Sequence, residues 1–98
     1  MIVVEGTVRV DPEILDRARP AMLRMIAASR AEAGCIDYAY AQDLADAGLI
    51  RVAERWQSRE ALAAHFQTAH MAEWRAEIAT FGIRDRQLRL YEAEPEDM

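Results

Sequence analysis

The chain has 98 residues, 52% of them hydrophobic and 30% charged, with a net charge of −5. That length leaves no room for a second domain with its own core or for a large multi-cofactor enzyme, and the composition is globular rather than disordered. Glu92, Glu94, Glu96 and Asp97 supply most of the excess acid; without them the net charge is −1, which argues against nucleic-acid and anionic-membrane partners.

Ile2 to Val10 reads as a strand, with Ile2, Val4, Val8 and Val10 on one side and Glu5, Thr7 and Arg9 on the other. Gly6 falls on the apolar side, where a glycine marks a bulge or a close approach to the sheet. Asp11-Pro12-Glu13 is a helix start: a capping Asp, Pro at the first helical position and an acid in the first turn. Ile14, Leu15, Ala18, Met22, Met25, Ile26 and Ser29 then follow the 3–4 spacing of a single buried helix face. Pro20 lacks a backbone donor and is expected to kink or break this helix, and Gly34 fits its stop.

Cys35 to Asp43 alternates again, with Ile36, Tyr38 and Tyr40 expected on one side. A short turn-rich connection from Leu44 to Gly48 leads to Leu49–Trp56, where Ile50, Val52, Glu54 and Trp56 oppose Leu49, Arg51, Ala53 and Arg55. So short a connection implies an antiparallel hairpin. Ser58 can cap the next helix, in which Ala61, Leu62, His65 and Phe66 share a face. The helical phase shifts around Gln67 to His70, and Met71, Trp74, Ile78 and Phe81 form a new stripe, so two helical pieces with a bend are expected. Gly82 ends the second, and Arg84 to Ala93 is the last strand.

The order β-α-β-β-α-β defines an α+β, ferredoxin-like split βαβ arrangement: one antiparallel sheet with the helices on one face. Residues 1–93 are read as a single domain and 94–98 as an acidic tail. The opposite sheet face has no cover from its own chain, so a face-to-face homodimer is expected.

Several absences narrow the chemistry. All twelve basic residues are Arg, which removes lysine Schiff bases and a P-loop lysine. Cys35 stands alone, so neither an internal disulfide nor a thiolate zinc cage forms within the chain, and a reducing cytoplasm is the expected compartment. No apolar run approaches the ~20 residues of a membrane span, and Met1 to Val10 lacks the pattern of a signal peptide. His65 and His70 are five residues apart; five steps turn a straight helix by about 140°, so the two are not expected to share a metal.

The candidate functional residues are few. His65 suits general-base work if it faces a cavity, and a packed, hydrogen-bonded core His is the plainer reading. Glu54, like Glu5, is either a proton acceptor that could orient a His or a carboxylate paired with Arg. Tyr38, Tyr40, Trp56, Phe66, Met71 and Trp74 either wall an aromatic pocket or form plain core.

Three segments carry a resemblance. Glu32-Ala-Gly-Cys-Ile-Asp-Tyr38, Glu54-Arg-Trp-Gln-Ser58 and Leu62-Ala-Ala-His-Phe-Gln-Thr-Ala-His70-Met-Ala-Glu-Trp74 are similar to the antibiotic biosynthesis monooxygenase domain, in its small quinol monooxygenase-like branch. Ala69 stands where the family often has Pro, which is expected to alter the bend locally. The resemblance implies a dimeric α+β barrel with a cavity between sheet and helices. It also implies O2-dependent oxidation of a quinol or polyphenolic small molecule without flavin, haem or metal. A related branch degrades haem with Asn, Trp and His; this chain has no Asn, and His65 falls at that branch's Trp, so haem degradation is rejected. Under this reading His65 and Glu54 are catalytic, with Tyr38, Tyr40, Trp56, Phe66, His70, Met71 and Trp74 around the substrate. A dimeric binding or sensing protein, or a cofactor-free isomerase or lyase of the same barrel, are the alternatives.

Overall fold

The computed structural model describes residues 1–98. In chain order the elements are β1 (Ile2–Arg9), α1 (Pro12–Arg30), β2 (Cys35–Gln42), β3 (Leu49–Trp56), α2 (Arg59–His65), α3 (Ala69–Phe81) and β4 (Arg84–Glu92). The strands form one antiparallel sheet in the order β2-β3-β1-β4. The expected ferredoxin-like fold is therefore present, with the second helical segment divided into α2 and α3.

Alternation places the core. Ile50, Val52, Glu54 and Trp56 of β3 are buried while Arg51, Ala53 and Arg55 are exposed. Ile2 and Val4 of β1 join them, and α1 lays Leu15, Ala18, Ala21, Met22 and Met25 against this face. Burying one such large side chain is worth about 1.5–3 kcal/mol. Glu5, Thr7, Arg55, Arg89 and Tyr91 lie on the other face, which no helix covers.

The helix termini follow the sequence signals. Asp11 accepts from the Glu13 N–H, and Ser58 accepts from the Ala61 N–H. Gly82 closes α3 at φ 65°, a left-handed conformation that suits glycine. Pro20 corrects an expectation: α1 runs unbroken from Pro12 to Arg30. Pro20 lies on the exposed side, so water can satisfy the carbonyl that its missing N–H would have served.

Two irregularities shape the sheet. A register shift between Cys35 and Asp37 sets Cys35 opposite Trp56 and Tyr38 opposite Glu54. It turns Ile36 out to 48% exposure, so Ile36 does not share the face of Tyr38 and Tyr40 as its spacing suggested. A second shift lies between β1 and β4 at Thr7/Arg9, facing Asp85, whose φ is 54°. Such bulges bend a strand and re-aim its side chains. Gly6 is a close approach: a Cβ there would lie 1.8 Å from the Gln87 carbonyl oxygen.

Candidate functional site

The break between α2 and α3 builds the site. The Thr68 hydroxyl donates to the His65 carbonyl at 2.7 Å and accepts from the Met71 N–H at 3.2 Å, ending one helix and capping the next. Ala69 is the first residue of α3, a position that suits Pro equally well. Thr68 holds the bend without it.

This bend overturns the straight-helix argument about the two histidines. His65 Nδ1 lies 2.6 Å from Glu32 Oε2, and His70 Nε2 lies 2.8 Å from the same oxygen. Glu32 comes from the turn that follows α1. His65 is almost completely buried and packs on Trp56, Tyr38 and Phe66 at ring-centroid distances of 4.8, 5.5 and 5.7 Å. With Nδ1 turned to Glu32, the other ring nitrogen has no protein hydrogen-bond partner.

Glu54 does not hold His65. Its carboxylate accepts from Trp56 Nε1 at 3.0 Å. Burial pushes the Glu54 carboxyl above the ordinary carboxylate range, while the Trp56 donor and the charges of His65 and Arg86 pull the other way. Trp56 is wholly buried core rather than cavity wall.

A cavity of about 80 Å³ lies between the sheet and α2–α3. Among the residues singled out in the sequence, His65, Glu54, Tyr38, Tyr40, Phe66, Met71 and Trp74 line it, whereas Trp56 and His70 do not. The Tyr38 and Tyr40 hydroxyls are 2.6 Å apart, so one donates to the other. Burial, the largest cause, pushes both phenols up, and nearby Glu54 adds to this; both therefore stay protonated at neutral pH. Tyr40 also stacks on Trp74, with centroids 5.8 Å apart and planes 20° apart. Phe66, at 37% exposure, sits at the solvent edge of the wall rather than in the core.

Sequence reasoning missed two polar residues here. Arg86, just beyond the β4 bulge, supplies a cationic group to the cavity lining. Glu32, which orients both histidines, stands in a quoted segment, but no spacing relates it to His65. Val4, Val8, Val52, Leu62, Ile78, Ile83 and Leu88 complete the apolar wall, and the 2- and 3–4-residue periodicity of most of them was the available signal.

A family model described as antibiotic biosynthesis monooxygenase matches residues 1–77. The chain belongs to that family. It is similar over its whole length to a Deinococcus radiodurans protein described as a putative antibiotic biosynthesis monooxygenase, with TM-score 0.91, 22% identity and 97% of that chain covered. A further crystal structure of an antibiotic biosynthesis monooxygenase matches 97% of this chain and all of its own, with TM-score 0.85 and 27% identity. A Bacteroides thetaiotaomicron protein, described as conserved, of unknown function and a candidate oxidoreductase, shares 30% identity over 92% of both chains, with TM-score 0.77. Among curated proteins, the uncharacterized protein sll1783 of Synechocystis is 29% identical over 92% of this chain, which spans 61% of that relative's length. No helix is long and apolar enough to cross a membrane.

Proposed function

We propose that the protein is a monooxygenase that oxidises a quinol or related polyphenolic ring with O2 and needs no bound flavin or haem. The observation that carries this reading is the buried His65, which lines an aromatic cavity and is held at Nδ1 by Glu32. That pairing is how a protein fixes the tautomer of an imidazole base and stabilises the imidazolium it becomes.

In this reading His65 removes a phenolic proton. Arg86 and the free hydroxyl proton of the Tyr38–Tyr40 pair hold the resulting oxyanion. The electron-rich ring gives one electron to O2, and the radical pair recombines at a ring carbon as a hydroperoxide. Loss of water from that hydroperoxide leaves one oxygen atom on carbon as a carbonyl; the second leaves as water with the substrate's two hydrogens. The chain supplies a base, positioning and a dry site.

The cavity is small beside the roughly 300–1,000 Å³ of drug-sized ligand pockets, so a ring enters as lining side chains swing aside. Met71 is the flexible one and Phe66 the one nearest solvent. We further propose that the uncovered sheet face pairs with a second copy. Val3, Ala39, Ala53 and Tyr91 lie there among Arg, Asp and Glu side chains that a two-fold axis can set against one another.

The test is oxygen uptake with a panel of benzo- and naphthohydroquinones, with chelator present, against the autoxidation rate and His65→Ala. Saturable uptake that disappears in the variant supports the reading. Uptake at the blank rate, accompanied by a ligand-induced melting shift, would replace it with a binding protein.

A further inference from the structure

We propose that Glu32, His65 and His70 form a binding site for a divalent transition cation of the Zn²⁺ class. Their nearest ligand atoms all lie within 4.8 Å of one another. Two imidazoles and one carboxylate are a donor set that borderline cations such as Zn²⁺ and Co²⁺ prefer, and three protein ligands leave a further position for water.

The geometry is close to what a cation needs. At bond lengths of about 2.0–2.2 Å, tetrahedral ligands stand roughly 3.3 Å apart. The contacts of 2.6 and 2.8 Å to Glu32 Oε2 therefore need to open by roughly 0.5–0.7 Å, and the two imidazole nitrogens, within 4.8 Å of each other, need to draw together by up to about 1.5 Å. Glu32 lies in a turn, and the α2–α3 break sets the two histidines on separate helices, so the turn and the break are where this adjustment falls. Each neutral imidazole keeps its single proton by moving it to the nitrogen that faces away from the cation.

Burial strengthens the site. The His65 and Glu32 side chains are 2% and 12% exposed, and His70, at 24%, opens to solvent and gives an entry path. Trp56, Tyr38 and Phe66 pack the His65 ring in place, which limits the entropy lost on binding. The cation-bound and proton-bridged forms of the cluster exclude each other. The proposal does not depend on the oxygenase reading.

Equilibrium dialysis of the chelator-stripped, tag-free chain against Co²⁺ and then Zn²⁺ tests it. The visible absorption of bound Co²⁺ and the ring-proton NMR signals of His65 and His70 report the site. The expected result is one cation per chain with both ring signals perturbed. His70→Ala should weaken binding by more than about 100-fold, since losing even an outer-shell partner costs about 10–100-fold. His70 is partly exposed, and a melting curve of the cation-free variant checks its fold; Glu32→Gln gives an independent loss. No saturable binding at millimolar Co²⁺, or binding that neither substitution weakens, overturns the proposal.

Discussion

His65 Nδ1 stands 2.6 Å from Glu32 Oε2, and the two residues are 33 positions apart in the chain. A carboxylate at that distance accepts a hydrogen bond from Nδ1–H and leaves the other ring nitrogen to take a proton from a ligand. Removing the ring removes the proposed base. His65→Ala is expected to lower kcat by about 10²–10⁴-fold, the usual contribution of a positioned acid–base group. Stopped-assay oxygen uptake on folded protein reads this; activity equal to the parent would take His65 out of the mechanism.

Glu32→Gln separates orientation from charge. The amide oxygen still accepts from Nδ1, but the imidazolium loses its counter-charge. We expect kcat to fall by less than in His65→Ala, with KM nearly unchanged. A rise in KM with kcat preserved would assign Glu32 to substrate binding instead.

Arg86 reaches the cavity lining from β4 beside the bulge at Asp85. If it holds the oxyanion that forms once His65 has taken the proton, Arg86→Met should lower kcat by about tenfold or more with KM little changed, as a hydrogen bond to a charged group is worth about 1.5–3 kcal/mol. A kcat equal to the parent's across the hydroquinone panel would place the oxyanion elsewhere.

Glu54 gives a pH signature. Its carboxyl is raised by burial, so the folded state holds the proton more tightly than the unfolded chain. The sign follows: its stability contribution is fully present below the unfolded pKa and is lost as pH rises through the higher folded value. Glu54→Gln keeps an acceptor for Trp56 Nε1 and carries no charge. The variant should therefore melt above the parent at pH 8, and the difference should shrink toward pH 4. A melting difference independent of pH would show that Glu54 charge is not the cause.

Ala53 lies on the uncovered face, opposite Glu5 on one neighbouring strand and Ala39 on the other. Ala53→Glu places an unpaired charge beside Glu5 and should dissociate the proposed homodimer, seen as a halved mass in sedimentation, with the fold intact. A parent that sediments as a monomer would remove the pairing.

The order of elements was legible because its signals are local. Alternation marked β3, the Asp11-Pro12-Glu13 start marked α1, and the phase shift near Gln67 marked the division of α2 from α3. Side-chain direction in a strand or helix follows from position alone, so Leu15 and Met25 could be assigned to a core without knowing the partners. The same reasoning failed where one residue changes the phase. The shift beside Cys35 turned Ile36 outward, and a bulge leaves little trace in a short alternating run.

The site was legible in part. His65, Tyr38, Tyr40, Met71 and Trp74 stood out by type and periodicity, and the fold set them around one cavity. Tertiary structure decided the rest: Trp56 went to the core, Glu54 bound Trp56 rather than His65, and Glu32 and Arg86 entered the site. Above all, the convergence of His65 and His70 on Glu32 depends on a three-residue break between helices and on where α1 ends. Neither the angle of that break nor the position of the turn is encoded in residue spacing. Both are set by how α1 and α3 pack on the same sheet face, and packing is a property of the assembled chain.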